Sequence, residues 1–146
     1  MGVIKVKTKV RAPYELVKKL FLDREGKLFK FLTPSFVEIV HYKGVRRGAI
    51  IKIKVLSRPC EFKVITYSTD KTKLSFNDII TKGDIFGATF WSHRHFVEKS
   101  GTHTLIRDEL AFTSKNKIRD AFLHIFLFCS FNLRSLQYKV FVFFNR

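Results

Sequence analysis

The spacing of apolar and polar residues changes period along this chain. Val3 to Arg11 alternates, with Lys5, Lys7, Lys9 and Arg11 on one side and Ile4, Val6, Thr8 and Val10 on the other. That period of two predicts a strand with one wet, basic face and one buried face. Ala12-Pro13 ends it, and Pro13 suits the first residue of a helix. Leu16, Val17, Leu20 and Phe21 then fall at helical spacing over Tyr14 to Leu22, and after a break at Asp23 to Gly26 a second short helix is predicted over Lys27 to Leu32, stopped by Pro34.

From there the texture is strand-like. Strands are predicted over Phe36 to Tyr42, Gly48 to Ser57, Cys60 to Ser68, Leu74 to Thr81, Phe86 to Glu98 and His103 to Thr113. Lys43-Gly44, Arg58-Pro59, Asp70-Lys71, Lys82-Gly83-Asp84 and Ser100-Gly101 are the turn signals between them. Turns about every ten residues between alternating runs predict an antiparallel meander.

The last stretch, Asn116 to Phe144, returns to helical period. Ile118, Phe122, Ile125, Cys129, Leu133, Leu136, Val140 and Phe143 are three or four apart, the spacing of one helix face, which is expected to be the buried one. Ser114 and Asn116 can both cap the start, and Asp120 suits the positive end of the helix dipole. Ser130, Arg134, Gln137 and Lys139 give the second half a polar side, whereas AFLHIFLF is apolar nearly all round and should be covered on several sides or border an apolar cavity. His124, Asn132, Arg134, Gln137 and Lys139 keep the apolar run well below the ~20 residues a bilayer needs.

The chain of 146 residues is long enough for one domain with a real core, residues 1–146, and shows no repeat or linker. The order is strand, two short helices, six strands, long helix. A sheet with one apolar face needs a cover, and only the final helix is long enough to give it. The fold class expected is therefore α+β: a curved, seven-stranded antiparallel sheet around a long C-terminal helix, with two short helices after the first strand. Concave apolar space between sheet and helix is where a small ligand would bind. Seventeen phenylalanines suit a core and equally suit the lining of such a pocket.

Charge changes the list of partners more than the fold: 28 basic residues stand against 12 acidic ones, a net +16. Cys60 and Cys129 lack metal-type spacing and fit a reducing compartment. MGVIKVKT has no apolar signal core and carries Val6 where a myristoylation pattern wants Ser or Thr, so a cytoplasmic protein is expected.

The order of elements, the long final helix, the opening strand with Ala12-Pro13, and above all IFGATFWSHRHFVEKSGTHTLIRD over Ile85 to Asp108 resemble the helix-grip fold of the START/Bet v 1-like (SRPBCC) superfamily, in particular its bacterial polyketide cyclase/dehydrase-like ligand-binding group. The residues that carry the likeness are Trp91, His93, His95, Phe96, Thr104 and Asp108. The resemblance covers essentially the whole chain. It implies a hydrophobic-ligand pocket between sheet and helix in a family that includes binders of lipids, sterols and polyketides as well as enzymes; it supplies no catalytic set.

Candidate chemistry concentrates in the same segment. Trp91, His93 and His95 share one face of a strand, and Asp108 lies among Ile106, Leu110 and Phe112 on the next. A carboxylate so placed needs a partner or costs several kcal/mol in desolvation. A histidine across the ladder would serve, either as a structural hydrogen bond, as a polar anchor for a ligand hydroxyl or carbonyl, or as a general acid–base pair. His93-x-His95 alone makes no metal site, since zinc wants three or four ligands and nothing in the sequence makes His41, His103 or His124 converge on it; no metal and no cofactor are expected. Cys129, on the face expected to be buried, should be inert. Gly44 to Gly48 is a basic turn and no phosphate loop. The basic face of the first strand carries no interleaved aromatics, so weak electrostatic contact with an anionic membrane surface, or plain solvation, is favoured over specific nucleic-acid binding.

The leading expectation is a module that binds a hydrophobic small molecule of lipid, polyketide or isoprenoid class. Phe90, Trp91, Ile106, Leu110, Phe122, Ile125 and Phe126 are its expected walls, and His93, His95 or Asp108 its polar anchor. Phe90 and Trp91 cannot both point inward without a bulge. The alternatives are a cyclase, dehydratase or hydrolase that uses His93 or His95 with Asp108 in the same pocket, and a basic surface binder of nucleic acid or anionic membrane.

Overall fold

The computed structural model describes all of residues 1–146. Its elements in chain order are β1 (Gly2–Val10), α1 (Tyr14–Phe21), α2 (Lys27–Leu32), β2 (Val37–His41), β3 (Ile50–Val55), β4 (Arg58–Thr69), β5 (Lys73–Lys82), β6 (Ala88–Ser100), β7 (His103–Ser114) and α3 (Lys117–Phe144). The strands form one antiparallel sheet in the order β1-β7-β6-β5-β4-β3-β2. Strands two to seven run as a meander, and β1 pairs with β7, with Gly2 opposite Phe112 and Val10 opposite Thr104.

The alternation in β1 places Ile4, Val6, Thr8 and Val10 inward and leaves Lys5, Lys7 and Lys9 exposed. The turn between β3 and β4 sits two residues earlier than Arg58-Pro59. Val55 pairs with Arg58 across the two-residue loop Leu56-Ser57, both residues having positive φ (47° and 68°). That geometry follows the right-handed twist of a hairpin, but Leu is an unusual residue to supply it. In the basic turn from Gly44 to Gly48, Val45 is tucked into the core and Arg46 and Arg47 stay outside.

α3 begins as its sequence suggests. The Asn116 side chain accepts a hydrogen bond from the Ile118 amide at 2.8 Å, and Asp120 accepts from the Ser114 amide. The helix packs against β1, β7 and α2. The face it buries is the opposite of the one expected: Leu123, Leu127, Phe131, Tyr138 and Val142 point inward. Ile118 is 80% exposed and Phe122 77%, and Ile125, Cys129, Leu133, Leu136, Val140 and Phe143 also face out. At 100° per residue the two stripes lie about 180° apart, and AFLHIFLF offers apolar residues to both. The inner stripe includes Tyr138 and is flanked by Arg134, whose guanidinium lies 4.6 Å from the Phe131 ring; these polar atoms disguise it in the sequence.

The interior has two parts. One joins α1, α2 and the C-terminal half of α3, with Phe21 stacked on Tyr138 at 5.7 Å between ring centres. The other joins β1, β3, β4, β6 and β7 to the N-terminal half of α3 through Leu123, Leu127 and Phe131. Tyr138 and Phe21 are almost wholly buried, and each such side chain is worth about 2–3 kcal/mol of transfer free energy. No helix is long and apolar enough to cross a membrane.

Candidate functional site

Two places stand out: a buried polar cluster on the inner face of the sheet, and an apolar recess at the N-terminal end of α3.

The cluster lies on three neighbouring strands. Asp108 is directly opposite His95, and Asp78 on β5 is directly opposite His93. The contacts then cross diagonally. His93 Nε2 is hydrogen-bonded to Asp108 Oδ1 at 3.1 Å, and His95 Nε2 to Asp78 Oδ2 at 3.2 Å. His95 Nδ1 lies a further 3.1 Å from Asp108 Oδ1, close enough for an ion pair but out of line for a hydrogen bond. Around this core, Phe76 stacks on His95 at 4.3 Å, the two imidazoles are 3.7 Å apart, and Phe131 meets His93 edge-on. The Tyr138 hydroxyl, close to Asp108 and Arg134, has no hydrogen-bond partner.

The charges follow from this geometry. Burial and the neighbouring His95 charge push His93 down to about 4, so it is neutral. Burial also acts against a charge on His95, but the facing Asp108 and Asp78 side chains outweigh it and raise its pKa. Asp108 is held well below the usual carboxylate range: burial opposes this, and the two histidines prevail. Burial and the Asp108 charge raise Tyr138 well above an ordinary phenol. The cluster thus sets His95 between the side chains of Asp78 and Asp108, with the neutral His93 imidazole alongside. Asp78, His93 and His95 hold donor atoms within 4.8 Å of one another, and three donors is the number a catalytic zinc uses. Two of these donors, His95 Nε2 and Asp78 Oδ2, are already bonded to each other at 3.2 Å.

The recess has a volume of about 700 Å³ and is lined by Phe36, Leu56, Phe86, Ile118, Phe122, Leu123 and Phe126, with Asn116 and Arg119 as its polar residues. Phe86 and Phe126 meet edge to face at 5.4 Å, and Phe36 touches both. Leu56 and Phe86 are non-glycine residues with positive φ (47° and 52°), each costing about 1 kcal/mol or more of backbone strain. Both lie at tips of turns and present their side chains to the recess. Gly87, next to Phe86, lets the Arg119 guanidinium close on the backbone, where a Cβ would collide with it.

Among the residues singled out from the sequence, Phe122 and Phe126 line the recess. Trp91, Ile106 and Leu110 are packed in the core, and His93, His95 and Asp108 form the cluster below it. Phe90 and Ile125 point outward. β6 does carry an irregularity, between Ala88 and Phe90, so it leaves Trp91 inward and Phe90 outward. The sequence reading missed Asp78, Tyr138, Phe36, Leu56 and Phe86. Asp78 had a signal: it is two residues from Phe76 and four from Leu74 on the inward parity of its strand. Leu56 and Phe86 had none, because their role depends on unusual backbone angles at turns.

No family model and no curated protein sequence matches the chain. Among solved structures it is similar to norcoclaurine synthase from Thalictrum flavum in complex with dopamine and hydroxybenzaldehyde, at 16% identity and a TM-score of 0.69 over 99% of this chain and 88% of that one. It is also similar to Ara h 8.0201, of the Bet v 1 family (16% identity, TM-score 0.64, 97% of each chain), and to protein CV1439 from Chromobacterium violaceum (14% identity, TM-score 0.61, 97% of this chain and 96% of that one). The chain has the Bet v 1/SRPBCC-like helix-grip fold.

Proposed function

We propose that the protein binds a hydrophobic small molecule, of lipid, polyketide or isoprenoid class, in the recess at the N-terminal end of α3. The observation that carries this is the pairing of an open apolar volume with strained backbone. Leu56 and Phe86 hold unfavourable angles, and both spend them on presenting apolar surface to the same space. Asn116 and Arg119 at the rim suit a ligand with one polar or anionic end. The fold agrees with this reading, since norcoclaurine synthase, a structural neighbour, is found in complex with small aromatic molecules. We place the protein in the cytoplasm, where two unpaired thiols are at home.

An enzyme using His93, His95 and Asp108 is the weaker reading. The cluster shares no residue with the recess, and its histidines are fully buried against aromatic rings.

The test is native mass spectrometry of the purified protein, extraction of anything carried with it, and titration with apolar fluorescent probes. A near-stoichiometric apolar passenger, or a probe displaced by one, is the expected result. Protein that is ligand-free and indifferent to the probes would overturn the proposal.

A further inference from the structure

The outer face of α3 is the largest feature that neither the core nor the recess accounts for. A surface helix of a globular protein normally turns its polar side to water. Here Ile125, Leu133, Leu136 and Phe143 are all more than half exposed. The 28 residues of α3 make a ridge about 42 Å long at 1.5 Å per residue. Contiguous apolar surface of this extent marks a docking site.

The charge around it says what docks. α3 contains one acidic residue, Asp120, and that carboxylate is already engaged by the Ser114 amide. Exposed cations flank both ends: Lys115 and Lys117 at the start, Lys139 and Arg146 at the finish. At the finish, Lys9 of β1 and Arg11 just after it join Lys139 and Arg146 around Phe143 and Phe144, in a groove of about 760 Å³. Apolar side chains ringed by cations match the interface of an anionic bilayer, where acyl chains receive the first and phosphates the second. A second copy of the chain would cover the ridge but would bring together two molecules of net charge +16. The inner side of the helix is held by the sheet, so the helix would lie in the plane of the interface without spanning it.

We propose that α3 docks its outer face on anionic phospholipid membranes, with Ile125, Leu133, Leu136 and Phe143 entering the interface and the flanking lysines and Arg146 on the headgroups. The docking stands whether or not the recess holds a ligand.

The experiment is flotation of the full chain with vesicles of phosphatidylglycerol and phosphatidylcholine, against vesicles of phosphatidylcholine alone. The wild type should float with the anionic vesicles and far less with the neutral ones, and added salt should weaken binding without abolishing it. The triple variant L133Q/L136Q/F143Q changes only exposed residues away from the recess and should lose about tenfold or more in partitioning. Cys129, exposed in the middle of the ridge while Cys60 is buried, gives a readout that needs no destabilising substitution. An environment-sensitive dye on it should shift to the blue on anionic vesicles. The proposal falls if the wild type ignores anionic vesicles, if the triple variant floats as well as the wild type, or if the protein floats while the dye stays in water. It falls equally if the wild type is a dimer that the triple variant splits, since the ridge would then be an interface between copies.

Discussion

The cluster under α3 and the recess at its N-terminal end are opposites. The first is polar, buried and closed, with Asp78 and Asp108 both against His95 and neutral His93 on Asp108. The second is apolar and open, with strained backbone at its rim. The groups that suggest chemistry and the space that could admit a ligand are therefore in different places. A histidine and an aspartate on adjacent strands look like a catalytic pair in the sequence. In the fold His93 and Asp108 meet at 3.1 Å, buried and outside the lining of the recess.

The sharpest test of that contrast is His95→Leu. It leaves Asp78 and Asp108 buried with no cation, which should cost about 3–5 kcal/mol of stability in urea denaturation. Binding of an apolar probe in the recess by the surviving folded protein should be nearly unchanged. A probe affinity that collapses with the cluster would show that the two regions are one site.

Stability against pH separates the two histidines. His93 has a folded value of about 4, below the ordinary 6.5, so the unfolded chain takes up a proton that the folded one refuses. Its contribution is full above 6.5 and declines as pH falls towards 4, by up to about 3 kcal/mol at 1.36 kcal/mol per unit. His95 has a raised value, so its contribution is full below 6.5 and is lost as pH rises through the folded value. Urea midpoints measured across this range should fall on both sides of a maximum. His93→Gln should flatten the acid limb, and an unaltered acid limb would assign it to other groups.

At the recess, Phe126→Arg should weaken probe binding by about tenfold, roughly 1.4 kcal/mol, with little change in the unfolding midpoint because Phe126 is partly exposed already. The smallest effect should come from Leu56→Gly. Releasing the left-handed backbone should offset the added chain entropy and shift stability by about 1 kcal/mol or less, while removing one wall of the recess. A large loss of stability would mean that Leu56 is packed as core, and the contrast between a closed and an open region would blur.

The sequence carried the order of elements because alternation and turn residues are local. The cap at Asn116 and the inward parity of His93, His95 and Asp108 were visible for the same reason. The buried side of α3 was not. Ile118 to Phe143 forms the cleaner apolar stripe, and a helix that is apolar on two sides gives periodicity no way to choose. The choice is made by shape: Tyr138 fits against Phe21, and Phe131 against His93. The recess was half visible, through Phe122 and Phe126, and its other walls come from turns whose backbone angles no spacing rule encodes.

The pairing of β1 with β7 has a consequence for how the molecule is made. β1 is synthesised about 90 residues ahead of β7, its only partner strand. At about 5–20 residues per second, the strand waits roughly five to twenty seconds with Ile4, Val6 and Val10 unsealed. A naked alternating strand is the kind of segment that finds a wrong partner, and interleaved lysines are the standard guard against it. Lys5, Lys7 and Lys9 are well placed for that duty. Replacing them with Thr or Gln should leave the finished protein as stable as before but shift much of the newly made chain into aggregates, so part of the basic charge would serve the protein's birth and have no bearing on its partners.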